Sequence, residues 1–196
     1  MTFLGRRNFM KLAGGGLFVF IASGDSEAQR RRSFSGTQAA DFNAFLRIGA
    51  DGRVSCFTGK IEMGQGIITS LAQMLAEELD VPFDSVDMVM GDTDLCPWDA
   101  GTFGSRTTKY FGPVLREAAA EARAELLRLA AAALRLPAGR LKTSQGFVAD
   151  REEPGRKISY ADLVQGKRIE KTISGEAPLK SVSGFSVSGK PKLKTD

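Results

Sequence analysis

Two runs of helical spacing, each led in by a glycine-rich loop, set what this chain can fold into. In the first, Ile68, Leu71, Ala72, Leu75, Ala76 and Leu79 line one helical face after "GKIEMGQG", and Pro82 stops the pattern. In the second, an alanine- and leucine-rich stretch from about Lys109 to Leu134 follows "GDTDLCPWDAGTFGSRTT". It carries Glu121, Arg128 and Arg135 among its polar positions, with Pro137 beyond its end. Strand-like alternation fills the space around these helices. "FLRIGADGRVSCFTGK" alternates about the turn dipeptide Asp51-Gly52 and predicts a hairpin. "SVDMVM" sets Val86, Met88 and Met90 against polar neighbours and predicts a third strand. "RLKTSQGFVAD" reads as another hairpin about Gln145-Gly146, and Ser159 opens a short helix in "SYADLVQG". The order predicts one α+β domain, a mixed sheet with two principal helices, over residues 41–170. Residues 171–196, dominated by Ser, Gly, Pro and Lys, read as an extended carboxy-terminal segment, and no internal repeat stands out.

The amino terminus reads as an address. Arg6 and Arg7 precede Asn8, Phe9, Met10 and Lys11, and "LAGGGLFVFIA" then supplies a short apolar run. This resembles a twin-arginine export signal over residues 1–28, with Gly5 and Met10 where Ser or Thr and Leu are commoner, and with Ser26 and Ala28 as a small-x-small cleavage site. Leu12 to Ala22 is short for a span, which needs about 20 apolar residues, so an uncleaved membrane-anchored form is the alternative to a cleaved one. The expected location is the periplasm. Twin-arginine export carries proteins already folded, often around a complex cofactor. Residues 29–40, rich in Arg, Ser and Gly, read as a linker.

Composition narrows the chemistry. The chain has two cysteines, Cys56 and Cys96, and no histidine, which excludes imidazole triads, histidine-ligated haem and the usual Cys/His zinc sites within it. Cys56 falls inside a strand and reads as a small buried hydrophobe. The pI of about 9.2 does not point to nucleic acid, because the basic residues do not cluster with aromatics and the only dense run is Arg30, Arg31, Arg32. What remains is the pair of loops. Both feed helix amino termini, where unpaired N–H groups and the helix dipole favour an anion, so the two could face one ligand. Known phosphate loops do not fit: Gln65-Gly66 stands where a Walker loop needs Lys and Ser or Thr, and Thr69 occupies the third glycine position of a dinucleotide fingerprint.

Taken together, "EMGQG" before an amphipathic helix, "VMGDTDLCPWDAGTFGSRTT" a strand later, and the long alanine-rich helix resemble the molybdenum-binding subunit of the xanthine oxidase family. The resemblance is closest to the beta subunit of isoquinoline 1-oxidoreductase and related bacterial aldehyde dehydrogenases. It covers about residues 1–170 and is densest from Phe57 to Pro113. It implies a molybdenum pyranopterin cofactor in its cytosine dinucleotide form. It places Gly64, Gln65 and Gly66 at the pyranopterin end, and Gly104, Ser105, Arg106 and Thr107 at the pterin and the nucleotide phosphates. A primary amide suits an edge of mixed polarity, flanking glycines let backbone approach, and Arg106 offers a planar fork for phosphate. Cys96 and Trp98 read as loop packing. The resemblance also implies oxidation of an aldehyde or N-heterocycle, a catalytic glutamate in a later part of a longer subunit, and electrons leaving through an iron–sulfur subunit and, in some systems, a c-type cytochrome. Glu62 flanks the turn, and Glu77 and Glu78 are expected on a polar helix face, so no carboxylate here replaces that base. A polypeptide carrying the missing domains is therefore an expected partner, and this chain alone is not expected to turn over substrate. The alternative is a non-catalytic remnant or assembly module of the same fold that binds no cofactor.

Overall fold

The computed structural model describes residues 15–21 and 44–194. Its first element changes the reading of the amino terminus: Gly16–Ile21, inside the apolar run expected as the core of an export signal, is a strand, β1. One edge of β1 is antiparallel to β2 (Ala44–Ile48), with Leu17 opposite Ile48, and the other is parallel to β8 (Arg168–Thr172), with Leu17 opposite Ile169. The Asp51-Gly52 hairpin forms as expected, joining β2 to β3 (Val54–Thr58), and β3 takes β4 (Val86–Met90) in parallel. The mixed sheet runs β4-β3-β2-β1-β8. A domain bounded at 41 and 170 would thus lose an inner strand at one end and cut the edge strand β8 at the other. Arg6, Arg7, the cleavage site and the linker 29–40 lie outside the described residues.

Both faces of the sheet are buried at β1, β2 and β3. On one, Leu17, Val19, Leu46, Ile48, Val54 and Cys56 meet α1 (Ile67–Leu79) and α2 (Gly112–Leu134), the two principal helices, through Leu71, Leu75 and Leu79 and through Leu115, Ala118, Ala122 and Leu126. On the other, Phe20, Phe45 and Phe57 stand directly opposite one another across β1, β2 and β3, and Phe18 joins them. The Phe45 and Phe57 rings stack at 4.7 Å between centroids, and Phe20 lies 6.2 Å from Phe45. Such pairs add about 0.5–1.5 kcal/mol each beyond their area. A strand buried on both faces has no reason to alternate, which is why β1 reads as an unbroken apolar run.

The Gln145-Gly146 hairpin also forms. Both residues have positive φ, 50° and 77°, as a two-residue type I′ turn requires, and they join β5 (Leu141–Ser144) to β6 (Phe147–Asp150). With β7 (Lys157–Ser159) these make a small antiparallel sheet, and Ser159 caps α3 (Tyr160–Val164) by accepting the Asp162 N–H at 3.0 Å. The buried Tyr160 hydroxyl donates to the Leu79 carbonyl at 2.7 Å, tying this unit to the end of α1.

The segment after β8 is extended but not idle. The Glu77 carboxylate accepts the N–H groups of Ser186, Val187 and Ser188 at 2.8, 2.6 and 2.9 Å. Glu78 is held between Arg116 (2.9 Å) and Arg123 (2.7 Å) of α2 and accepts the Lys180 N–H at 2.9 Å. Gln73 donates to the carbonyls of Val187 and Lys190. Glu77 and Glu78, expected on a polar helix face, are buried there, and α2 and the carboxy-terminal segment together supply their partners. Among the described residues, no helix is long and apolar enough to cross a membrane.

Candidate functional site

β3 and β4 are parallel neighbours, so the loops that leave them emerge at the same end of the sheet. Residues 59–66 run from β3 to α1, and residues 91–106 run from β4 toward α2. The two loops touch, and the contacts are specific. Lys60 Nζ donates to Asp99 Oδ1 at 2.6 Å and to the Gly101 carbonyl at 2.7 Å, and the Ile61 N–H donates to Thr102 Oγ1 at 2.8 Å. Gly59 permits the approach: a Cβ there would lie 2.7 Å from both Asp99 Cβ and the Pro97 carbonyl oxygen. Further along, Ser70 Oγ and Thr108 Oγ1 sit 3.4 Å apart. The second oxygen of Asp99, Oδ2, is buried without a hydrogen bond.

The first loop is organised by a residue that sequence reasoning placed only beside it. Glu62 folds under the turn, where Oε1 accepts the N–H groups of Gly64 and Gly66 at 2.8 Å each and Oε2 accepts that of Ile68 at 3.0 Å. Desolvation raises the carboxyl's pKa, but the N–H groups of Ile68, Gly66, Gly64 and Ile67 outweigh it and hold Glu62 below the ordinary glutamate value. An acid shortly before a glycine that opens a helix is the signal that could have found it. Gln65, expected to face a ligand, folds back on its own loop: Oε1 accepts the Met63 N–H at 2.6 Å and Nε2 donates to the Ile61 carbonyl at 3.0 Å. An amide has two N–H donors and two lone pairs, so these bonds use half its capacity. Gly64 and Gly66 both take positive φ, 91° and 83°, and Lys194 Nζ donates to the Gly64 carbonyl at 2.5 Å.

The second loop ends in two consecutive left-handed residues, Gly104 at φ 63° and Ser105 at φ 54°. They aim the chain into a π-helical turn, Thr107–Phe111, that leads into α2, an irregularity often met at functional sites. The Arg106 guanidinium lies 5.6 Å from the Phe103 ring centroid and 5.4 Å from that of Tyr110, and Thr107 is buried. Gly104, Ser105, Arg106 and Thr107 therefore stay together at the entry to α2, as the sequence placed them. Cys96 packs as expected, donating to the Val89 carbonyl at 3.2 Å. Trp98 is 66% exposed, with Met63 and Phe103 also more than half exposed on the same two loops. Burial pushes both thiols up, so neither is poised as a thiolate. Among the described residues, no group of three His, Cys, Asp or Glu side chains is arranged to hold a metal ion.

A protein-family model for the molybdopterin cofactor-binding domain matches residues 6–193. The chain belongs to the molybdopterin cofactor-binding domain family. The matched span takes in β1 and nearly all of the carboxy-terminal segment. As a molybdopterin cofactor-binding domain it is 40% identical over 152 residues to a component of nicotinate dehydrogenase from Pseudomonas putida, covering 78% of this chain and 13% of that protein. It is 33% identical over 182 residues to the beta component of isoquinoline 1-oxidoreductase from Brevundimonas diminuta, covering 87% of this chain and 23% of that one. Among solved structures it matches CO dehydrogenase from Oligotropha carboxidovorans with a TM-score of 0.57 and 26% identity, over 82% of this chain and 21% of that one. Quinoline 2-oxidoreductase from Pseudomonas putida matches with a TM-score of 0.54 and 25% identity, over 81% and 21%. This molybdopterin cofactor-binding domain thus spans between about an eighth and a quarter of the length of the relatives it matches, and its relatives are molybdenum-binding subunits of the xanthine oxidase family.

Proposed function

We propose that this chain is the cofactor-binding portion of a molybdenum hydroxylase that oxidises N-heterocycles or aldehydes. The observation that carries the reading is the pairing of two glycine-rich loops at one end of β3 and β4, locked together by Lys60 and Asp99. Their donor set fits a cofactor that combines a polar ring system with phosphates. Gly64, Gln65 and Gly66 offer close backbone approach and an amide for the pyranopterin end. Gly104, Ser105, Arg106 and Thr107 offer a loop, hydroxyls and a guanidinium for the pterin and the pyrophosphate of a cytosine dinucleotide form. The group supplies the two-electron oxidation chemistry, and this chain's residues orient it and shield it from water.

None of Glu62, Glu77 and Glu78 is placed as a general base. Glu62 spends both oxygens on its own loop, Glu77 holds the carboxy-terminal segment, and Glu78 is clamped by two arginines. On this reading the base and the remaining walls of the site belong to the other domains of the enzyme, and electrons pass to an iron–sulfur subunit and, in some systems, onward to a c-type cytochrome. The exposed Met63, Trp98 and Phe103 on the two loops suit that docking. The paired arginines support twin-arginine export to the periplasm, and lysine at both positions should leave the protein in the cytoplasm.

The test is co-expression with polypeptides supplying the other domains and the iron–sulfur clusters. The assembled protein should carry molybdenum and pterin and oxidise an N-heterocycle or aldehyde, while the isolated chain does not turn over. A second reading, an interaction module of the same fold, is favoured by the engagement of Gln65 within its own loop. Assembly without molybdenum or pterin would select it.

A further inference from the structure

The amino terminus of α1 already holds an anion. Three backbone N–H groups that would otherwise receive a ligand, those of Gly64, Gly66 and Ile68, are satisfied by both oxygens of Glu62. We propose that Glu62 closes this helix terminus to phosphate and so decides which end of an elongated anionic cofactor each loop can take. The inference rests on the reading of the loops as a cofactor cradle.

The physical basis is competition for one set of donors. A helix amino terminus offers a partial positive charge and a few unpaired N–H groups, and a carboxylate on them satisfies both. A phosphate entering there must displace Glu62 or sit beside a like charge in a site where it makes no hydrogen bonds. The entry to α2 is built the other way. Neither its π-helical turn nor its first α-helical turn contains an acid, and Arg106 and Lys109 stand there. A cation, Lys194, also lies along the first loop, with its side chain against Gly66 and its ammonium donating to the Gly64 carbonyl, but the N–H groups themselves are taken by Glu62. Two loops that look alike as glycine-rich helix entries therefore differ at the helix terminus itself, where the first holds a carboxylate and the second does not. The first suits an uncharged hydrogen-bonding edge and the second suits phosphates. Glu62 is a positioning residue: it acts through the loop and through exclusion.

The experiment uses the 196-residue chain, inorganic pyrophosphate as the probe, and backbone amide shifts as the readout. In the unmodified chain, pyrophosphate should leave the amides of Gly64, Gly66 and Ile68 unmoved. In Glu62→Ala those amides should respond, with apparent affinity there at least about tenfold higher, corresponding to about 1.4 kcal/mol. Glu62→Gln, which keeps the shape and one acceptor but loses the charge, should fall between them, and it carries the test if Glu62→Ala loses the helical signal of α1. Equal responses of these amides in the unmodified chain and the variants would overturn the proposal, and so would silence in all three. The probe needs no molybdenum cofactor. An assembled enzyme that proves empty of pterin would defeat the parent reading and leave the Glu62 result standing.

Discussion

Lys60 places its ammonium 2.6 Å from Asp99 Oδ1 with the two side chains only 4% and 0% exposed, so that the loop after β3 is pinned to the loop after β4 by a charge pair almost without solvent. Breaking one partner of such a pair strands the other. Asp99→Ala should lower unfolding stability by about 3–5 kcal/mol, whereas the double change Lys60→Met with Asp99→Leu should recover most of it. Urea unfolding of the three proteins decides the matter. A single mutant within about 0.5 kcal/mol of the parent would show that the pair contributes nothing.

Gly66 opens α1 at φ 83°, a conformation that costs a β-branched residue about 1–3 kcal/mol. In assembled enzyme, Gly66→Val should therefore distort the loop and sharply reduce molybdenum and pterin content. Ser105→Ala removes one donor, worth about 1 kcal/mol, and should reduce occupancy less. Full occupancy in Gly66→Val would sink the placement of the cofactor at this turn.

The carboxy-terminal segment should come loose in acid. Burial raises the Glu77 pKa, but the N–H groups of Val187, Ser188 and Ser186, then Lys180, more than offset this and leave it lowered. A depressed carboxylate adds stability that is complete above its unfolded value, about 4.3, and is lost as pH falls from there through the folded value. Amide protection factors at residues 186–188, taken against the intrinsic exchange rate at each pH, should fall in that window, and Glu62 predicts the same direction for Gly64 and Gly66. In Glu77→Gln, protection at 186–188 should already be low at neutral pH and change little on acidification.

Cleavage after Ala28 would remove β1, the strand between β2 and β8. A chain starting at Gln29 should be insoluble or unfolded, whereas one that keeps Gly16–Ile21 should fold. Mass measurement of protein recovered from the cell should show that segment retained. A folded, cooperatively unfolding chain that begins at Gln29 would count against the strand's place in the sheet.

Much of this fold was legible because local rules settle it. The Asp51-Gly52 and Gln145-Gly146 turns need positive φ that few residues supply, and α1 and α2 show their buried faces at helical spacing. β1 was not legible as a strand. Leu17, Phe18 and Val19 are all fully buried, and an unbroken apolar run after paired arginines has the same composition whether it meets a sheet or a translocation machine. At the site, the residues of both loops could be named in advance, but their internal bonds could not. Glu77 finds its partners at Ser186, Val187 and Ser188, and Asp99 finds Lys60; pairings so distant in sequence leave no periodic trace.

Because Leu17 pairs with Ile169, the seam of the main sheet joins its first strand to its last. A ribosome making this protein must deliver both helices and the small sheet before β8 can dock. Until then the nascent chain presents β1 with an unpaired edge, open to chaperones or to wrong strands. Docking of β8 ends that interval. From then on β1 is held between β2 and β8, so in a protein exported already folded, whatever reads the arginine pair meets an apolar run committed to the sheet.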